Sequence, residues 1–169
     1  MLKFTTSGES HGKGLITIIE GLPSGLAVDE EYINRELARR QKGYGRGGRM
    51  QIETDEMEMF AGVRNGKTLG SPISFLIRNR DYENWQDIMN CGACSRINDK
   101  VLTRPRPGHA DLPGAMKYHH HDMRNVLERA SARETASRVA AGAFFKQFLE
   151  QFGILIYSYV RSIGSVNVG

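Results

Sequence analysis

GESHGKGLITIIEGLPSG, residues 8–25, is the stretch that decides the first layer of the fold. Its middle, Gly14-Leu15-Ile16-Thr17-Ile18-Ile19-Glu20, is short and rich in β-branched residues, which predicts a buried strand. Gly21-Leu22-Pro23-Ser24-Gly25 then ends that strand in a turn. Its leading pentapeptide, Gly8 to Gly12, sets His11 between glycines. An imidazole, with an unperturbed pKa of about 6.5, exchanges a proton near neutral pH. Flanking glycines let the backbone turn sharply and approach a ligand. Taken alone, the pentapeptide is equally readable as a plain turn in which Ser10 caps a neighbouring segment and His11 is solvated.

Downstream, Asp29 is placed to N-cap a helix running to about residue 41, on which Ile33, Leu37 and Arg40 share a face. A cation at the end of an apolar stripe calls for an anion, because an unpaired buried charge is costly; the alternative is that Arg40 snorkels past the core edge. Residues 41–49, QKGYGRGGR, combine four glycines with Lys42, Arg46 and Arg49. Such a loop reads as a clamp for phosphate or carboxylate oxygens, with an RNA-binding module built on 43–49 as the alternative. Residues 52–80 predict a meander: Asn65-Gly66 is the preferred two-residue hairpin turn, and Ile73, Phe75 and Ile77 alternate with Ser74, Leu76 and Arg78. Periodicity fades over 81–103, which predicts a long surface loop that serves as a lid.

A second group of chemical residues begins at Arg104-Pro105-Arg106-Pro107-Gly108-His109-Ala110-Asp111, where the prolines and glycine present Arg106 and His109 from a stiff turn. The run His119-His120-His121-Asp122 is a poor chelate. Adjacent helical residues point about 100° apart, and on a helix only His119 and Asp122 share a face, so no metal site is expected. Cys91 and Cys94 form a single C-x-x-C with no second pair to complete a four-ligand zinc site. A third group, Ser131-Ala132-Arg133-Glu134, fits a capping box, and the alanine-rich stretch behind it predicts a helix to Gly153. That helix terminus, with Arg129 just before it, is an anion site in outline. Ala136, Ala140 and Gly142 would let another element approach closely, and residues 154–160 predict a further strand.

Composition is that of an ordinary globular chain: 169 residues, 40% hydrophobic, 25% charged, with a net charge of +4 that favours anionic partners. Its greasiest stretch, 144–160, is interrupted by Lys146, Glu150 and Gln151, so no membrane span is expected. MLKFTTSGES lacks a signal-peptide core, and the expected location is cytoplasmic.

In this order, the three groups resemble the chorismate synthase family. GESHG with the strand and Glu20-Gly21-Leu22-Pro23 is similar to that family's first signature. Arg-Pro-Gly-His-Ala-Asp at 106–111 with Lys117-Tyr118 is similar to a segment between signatures, and 128–143 to the second signature. The resemblance covers residues 1 to about 160. It implies an α+β fold of β-α-β sandwich layers, and conversion of 5-enolpyruvylshikimate 3-phosphate to chorismate and phosphate. That reaction requires reduced FMN, with NADPH a candidate reductant. It further implies a homotetramer and no nucleic-acid partner. By resemblance His11 and His109 are catalytic, His11 toward the flavin and His109 toward the departing phosphate. Arg129, Ala130 and Ser131, with Arg40 and Arg46, match flavin-binding positions, and Arg40, Arg46, Arg49, Arg106 and Arg133 match substrate-binding positions. Family members are much longer, so residues 1–169 are expected to be the N-terminal part of one larger domain, incomplete for activity in isolation. The His119-His120-His121 run and residues 91–99 depart from the family pattern.

Overall fold

Strand β2 (Gly14–Glu20) is the spine of a four-stranded antiparallel sheet, flanked by β1 (Lys3–Ser7) on one side and β6 (Ile73–Arg78) on the other, with β3 (Met57–Ala61) outermost beyond β6. The computed structural model describes residues 1–42 and 52–169, so Arg46, Arg49 and the loop 43–49 lie outside the described residues. Register follows side-chain chemistry. Leu15 pairs with Ile77 and Ile19 with Ile73, and these face inward with Phe75, while Ile16 and Ile18 alternate to the open face.

The inner face carries helix α1 (Glu30–Arg40) and a long helix, Thr135–Glu150, that is α5 in chain order. Ile33 and Leu37 of α1 are fully buried, as their i, i+4 spacing predicts. Ala136 and Ala140 of α5 are fully buried too, and their short side chains let the helix settle close to its neighbours. Gly142 does not share that role: a Cβ there would meet nothing within 4 Å. Phe144 stacks on Phe75 of β6 with ring centroids 5.6 Å apart, tying helix to sheet. Each such fully buried large apolar side chain contributes about 1.5–3 kcal/mol. The Asp29 carboxylate caps α1 by accepting from the Tyr32 N–H at 2.9 Å. Gln147 of α5 clamps the same residue from the other side, accepting from the Asp29 N–H and donating to its carbonyl.

Asn65 and Gly66 both adopt left-handed φ, +50° and +68°, and join β4 (Val63–Arg64) to β5 (Lys67–Thr68) as the Asn-Gly signal predicts. Past the sheet, 81–103 is not a plain loop. It holds helical turns at Arg80–Asn84 and Ile97–Lys100 and the short helix α2 (Gln86–Met89), whose Ile88 is buried. Two more short helices follow, α3 (Asp111–Tyr118) and α4 (Arg124–Leu127).

Three further expectations are corrected. His119 takes a left-handed conformation, φ +56°, and closes α3, so it shares no helix face with Asp122, whose carboxylate accepts from the Leu102 and Arg124 N–H groups instead. The capping box is half formed. Ser131 Oγ accepts from the Arg133 N–H at 3.3 Å, but the Glu134 carboxylate goes to Thr6 and Arg138, and α5 begins only after a 3-10 turn at Ala132–Glu134. Residues 154–160 join no sheet among the described residues. Their β-branched and aromatic side chains favour extension, but a strand needs a neighbour to accept its hydrogen bonds, and here a small hairpin of β7 (Ser162–Ile163) and β8 (Val166–Asn167) follows them. The result is an α+β fold in which the four-stranded antiparallel sheet is backed by helices, with two two-stranded hairpins beside it among the described residues. No helix among the described residues is long and apolar enough to cross a membrane.

Candidate functional site

The turn carrying His11 is fixed from every side. Gly8 has φ +104°, and a Cβ there would stand 2.2 Å from the Gly14 carbonyl, so only glycine lets the chain fold back against β2. Asn79, just past β6, donates its side-chain amide to the carbonyls of Glu9 and Gly12. From the opposite side, the Ser10 N–H donates to the Glu128 carbonyl at 2.9 Å. The His11 ring is then confined between groups of distant origin. Its Nδ1 lies 2.7 Å from Glu128 Oε2, its Nε2 lies 3.9 Å from Asp81 Oδ2, and Trp85 lies against its face at 4.1 Å between centroids. Glu128 is 2% exposed, and Arg124 Nη1 donates to its other oxygen at 2.6 Å. Burial pushes the Glu128 carboxyl up, but hydrogen bonds and charge from His11 and Arg124 outweigh it and hold the pKa below its ordinary value.

The stiff Pro-Gly turn delivers His109 to the start of α3, where Nδ1 pairs with Asp111 Oδ1. Asp111 is 1% exposed and accepts from the Arg106 N–H and Nε at 3.0 and 3.1 Å. Burial raises its pKa, but the bonds from Arg106 and His109 prevail and lower it to about 2. Arg106 Nη2 also lies 3.1 Å from each ring nitrogen of His109, and the arginine side chain remains about half exposed. A half-exposed guanidinium beside an imidazole on an ionised carboxylate is equipped to meet an anion.

Arg129, Ala130 and Ser131 join the first group. Ser131 Oγ donates to Ser10 Oγ at 3.2 Å, and Arg129 Nη2 donates to the Thr6 carbonyl and hydroxyl. Arg129 Nη1 is covered and has no hydrogen-bond partner among the described residues. Arg129 and Ala130 line an open cleft of about 620 Å³ together with Glu9, Ala110, Lys117 and Tyr118, so each sequence group contributes a residue to it, while the His11 and His109 rings lie outside its lining. Its floor depends on Gly114 of α3, where a Cβ would come within 2.3 Å of Val126 Cγ1 of α4.

Arg40 and Arg133 are placed differently. Arg40 finds its anion inside the chain: Nη1 donates to Asp55 Oδ2 at 3.1 Å, Nε to Thr135 Oγ1 and Nη2 to the Ala132 carbonyl. Arg133 is 7% exposed, and its nitrogens donate to Asn79 Oδ1, Asp55 Oδ1 and the Arg78 carbonyl. Sequence reasoning missed Asp55, Asn79, Trp85 and the role of Glu128. Asp111 had a local signal, sitting two residues beyond His109, whereas His11 and Glu128 are 117 residues apart.

The chain matches the family described as chorismate synthase over residues 2–168. The chain belongs to the chorismate synthase family. The chorismate synthase of Syntrophomonas wolfei is 67% identical over 168 residues, covering 99% of this chain and 42% of the relative. That of Symbiobacterium thermophilum is 59% identical, covering 98% of this chain and 44% of the relative. A crystal structure of chorismate synthase superposes with a TM-score of 0.75 at 50% identity, over 99% of this chain and 40% of that one. The chain therefore spans about two fifths of the length of the chorismate synthases it matches. Nothing in these likenesses supports nucleic-acid binding by the loop 43–49.

Proposed function

We propose that this chain supplies one wall of a chorismate synthase site, for the anti 1,4-elimination of phosphate from 5-enolpyruvylshikimate 3-phosphate in aromatic amino-acid biosynthesis. One observation supports the reading: Glu9 of the His11 turn, Ala110 beside His109, and Arg129 with Ala130 line a single cleft, and Ser131 bonds Ser10 of the His11 turn. The substrate bears two carboxylates and a phosphate, which cationic side chains of this chain would meet. Arg106 and His109 are proposed to neutralise the departing phosphate as its charge develops. Arg46 and Arg49 are proposed as further substrate contacts. Arg40 and Arg133 serve through their shared Asp55, which fixes the start of α5 against the end of α1.

Reduced FMN supplies the electron density the elimination needs and is not consumed overall. The residues present fit a flavin at one point in particular: Arg129 and the small Ala130 line the cleft, and Arg129 Nη1 is a covered donor without a partner among the described residues. Arg129 would hold an anionic or carbonyl oxygen there, and His11 would hold or release a proton at its Nε2. NADPH as reductant, a homotetramer and a cytoplasmic location belong to the same proposal, as what the family resemblance implies.

Anaerobic phosphate release from the substrate with reduced FMN tests this, on the chain and on a version extended past Gly169 to a relative's length. Release by the extended version supports the reading, and release by neither overturns it.

A further inference from the structure

Glu128 has more donors aimed at it than a carboxylate needs for solubility in a buried site. The His11 N–H and Nδ1 meet Oε2 at 3.0 and 2.7 Å, while Arg124 Nη1 meets Oε1 at 2.6 Å. Three groups thus converge on two oxygens of a side chain that is 2% exposed. An ionised carboxylate can only accept hydrogen bonds, so the ring nitrogen facing it must carry a proton. In a neutral imidazole only one nitrogen is protonated, and the other is then an acceptor.

The geometry points to Glu128 as the positioning residue of His11: it holds the proton on Nδ1, fixes the plane of the ring through the adjacent backbone N–H, and leaves Nε2 as the nitrogen that exchanges a proton with a bound ligand. This rests on the reading of His11 as a proton-handling residue. Arg124 keeps Glu128 ionised in its buried setting, and Lys100 holds Arg124 by accepting from its Nε at the backbone carbonyl. Trp85 closes the ring's face, with Arg124 and Lys100 over the indole at 5.1 and 5.5 Å, and its own Nε1 donates to Asp81 Oδ2. Asp81 stands 3.9 Å from His11 Nε2, beyond hydrogen-bond distance, so it does not compete with Glu128 for the ring proton. A histidine held at one nitrogen by a carboxylate, so that the other works on the ligand, is a general arrangement for fixing tautomer and aim.

Glutamine at 128 would defeat this without changing size. Its one acceptor oxygen cannot serve Arg124 and His11 together, and its amide N–H₂ would face Nδ1 as a donor. The test is long-range proton–nitrogen NMR of the chain at a pH where His11 is neutral, with the ring assigned by comparison with His11→Asn. The Nδ1–H tautomer is expected to dominate in the unsubstituted chain, and the major tautomer to invert in Glu128→Gln. An Nε2–H tautomer in the unsubstituted chain overturns the proposal, as does an unchanged tautomer in a folded Glu128→Gln. The first of these measurements does not depend on Glu128→Gln, so it decides even where that variant fails to fold. Because turnover is not read, failure here is separate from failure of the proposed reaction: Nδ1–H in the chain with full phosphate release by an extended His11→Asn would retain the positioning and discard the role of His11.

Discussion

Arg40 and Arg133 hold opposite oxygens of one buried carboxylate. Arg40 Nη1 donates to Asp55 Oδ2 at 3.1 Å and Arg133 Nη1 to Oδ1, with Asp55 2% exposed. Removing the shared anion takes a buried acceptor from both guanidinium groups at once, with Glu53 Oε2 remaining 3.8 Å from Arg133 Nη2. Asp55→Ala is therefore expected to cost about 3–5 kcal/mol of unfolding free energy in urea denaturation. Asp55→Asn keeps one acceptor oxygen and is expected to fall between. A loss below about 1 kcal/mol for Asp55→Ala would place the pair among surface-type ion pairs.

Asp111 sets a pH dependence. Its pKa falls from an ordinary 3.8 to about 2 in the folded chain, through the bonds from Arg106 and His109 that outweigh burial. A folded-state pKa below the unfolded one means the unfolded state binds the proton more readily. The stabilisation, about 2 kcal/mol at one pKa step per 1.4 kcal/mol, is present above roughly pH 4 and is lost as pH falls toward 2. Thermal unfolding of the chain and of Asp111→Asn should thus differ at neutral pH and converge in acid over that window. Parallel curves at all pH values contradict the assignment.

How much of this was legible beforehand follows the range of the interactions. Strand β2, the Asp29 cap, the Ile33 and Leu37 face and the Asn65-Gly66 turn were all readable, because each is decided by residues a few positions apart. Arg40 was rightly placed on the inner face, but its anion is Asp55, brought in by the strand that follows rather than by a ligand. Residues 154–160 misled because β propensity records only that a side chain suits a sheet, and pairing depends on a strand elsewhere. His11 was visible as a chemical residue from its glycines, while the partner that orients it, Glu128, lies far along the chain and no local pattern links them. The ring-stacking of Trp85 belongs to a segment whose lack of periodicity hid three helical turns.

Phe144 joins α5 to the sheet through its stack on Phe75 and is 1% exposed. Phe144→Ala deletes the ring and leaves a cavity between helix and sheet, with an expected cost of about 3–5 kcal/mol. Phe144→Leu fills more of the space and should cost less. Chemical denaturation of both variants checks the order, and equal stabilities would mean the core relaxes around the gap.

Arg129, which lines the cleft, has a covered Nη1 with no hydrogen-bond partner among the described residues, while its Nη2 is already spent on Thr6. If that free donor serves the flavin, Arg129→Ala in an extended chain should weaken FMN binding, read by flavin fluorescence, by more than it weakens substrate binding. Loss of one charge-assisted bond corresponds to roughly 1.5–3 kcal/mol, or about a tenfold to a hundredfold rise in Kd. Substrate affinity falling further than flavin affinity reverses the assignment.

His109 and Asp111 separate chemistry from positioning. In the proposed reaction the imidazole donates a proton to the departing phosphate, whereas Asp111, among the described residues, bonds the ring's Nδ1 and Arg106. In an extended chain, His109→Ala removes the acid itself, and turnover should fall by roughly 10² to 10⁴ with phosphate release as the readout. Asp111→Asn leaves the imidazole but gives the His109 and Arg106 donors one acceptor oxygen where there were two. Its turnover should fall less than that of His109→Ala, because the proton donor is still present though less well aimed. A more acidic leaving group, which needs less protonation, should restore much of the loss in His109→Ala and little of that in Asp111→Asn. Near-normal turnover in His109→Ala would remove the residue from the acid role and leave Arg106 as the group that meets the phosphate.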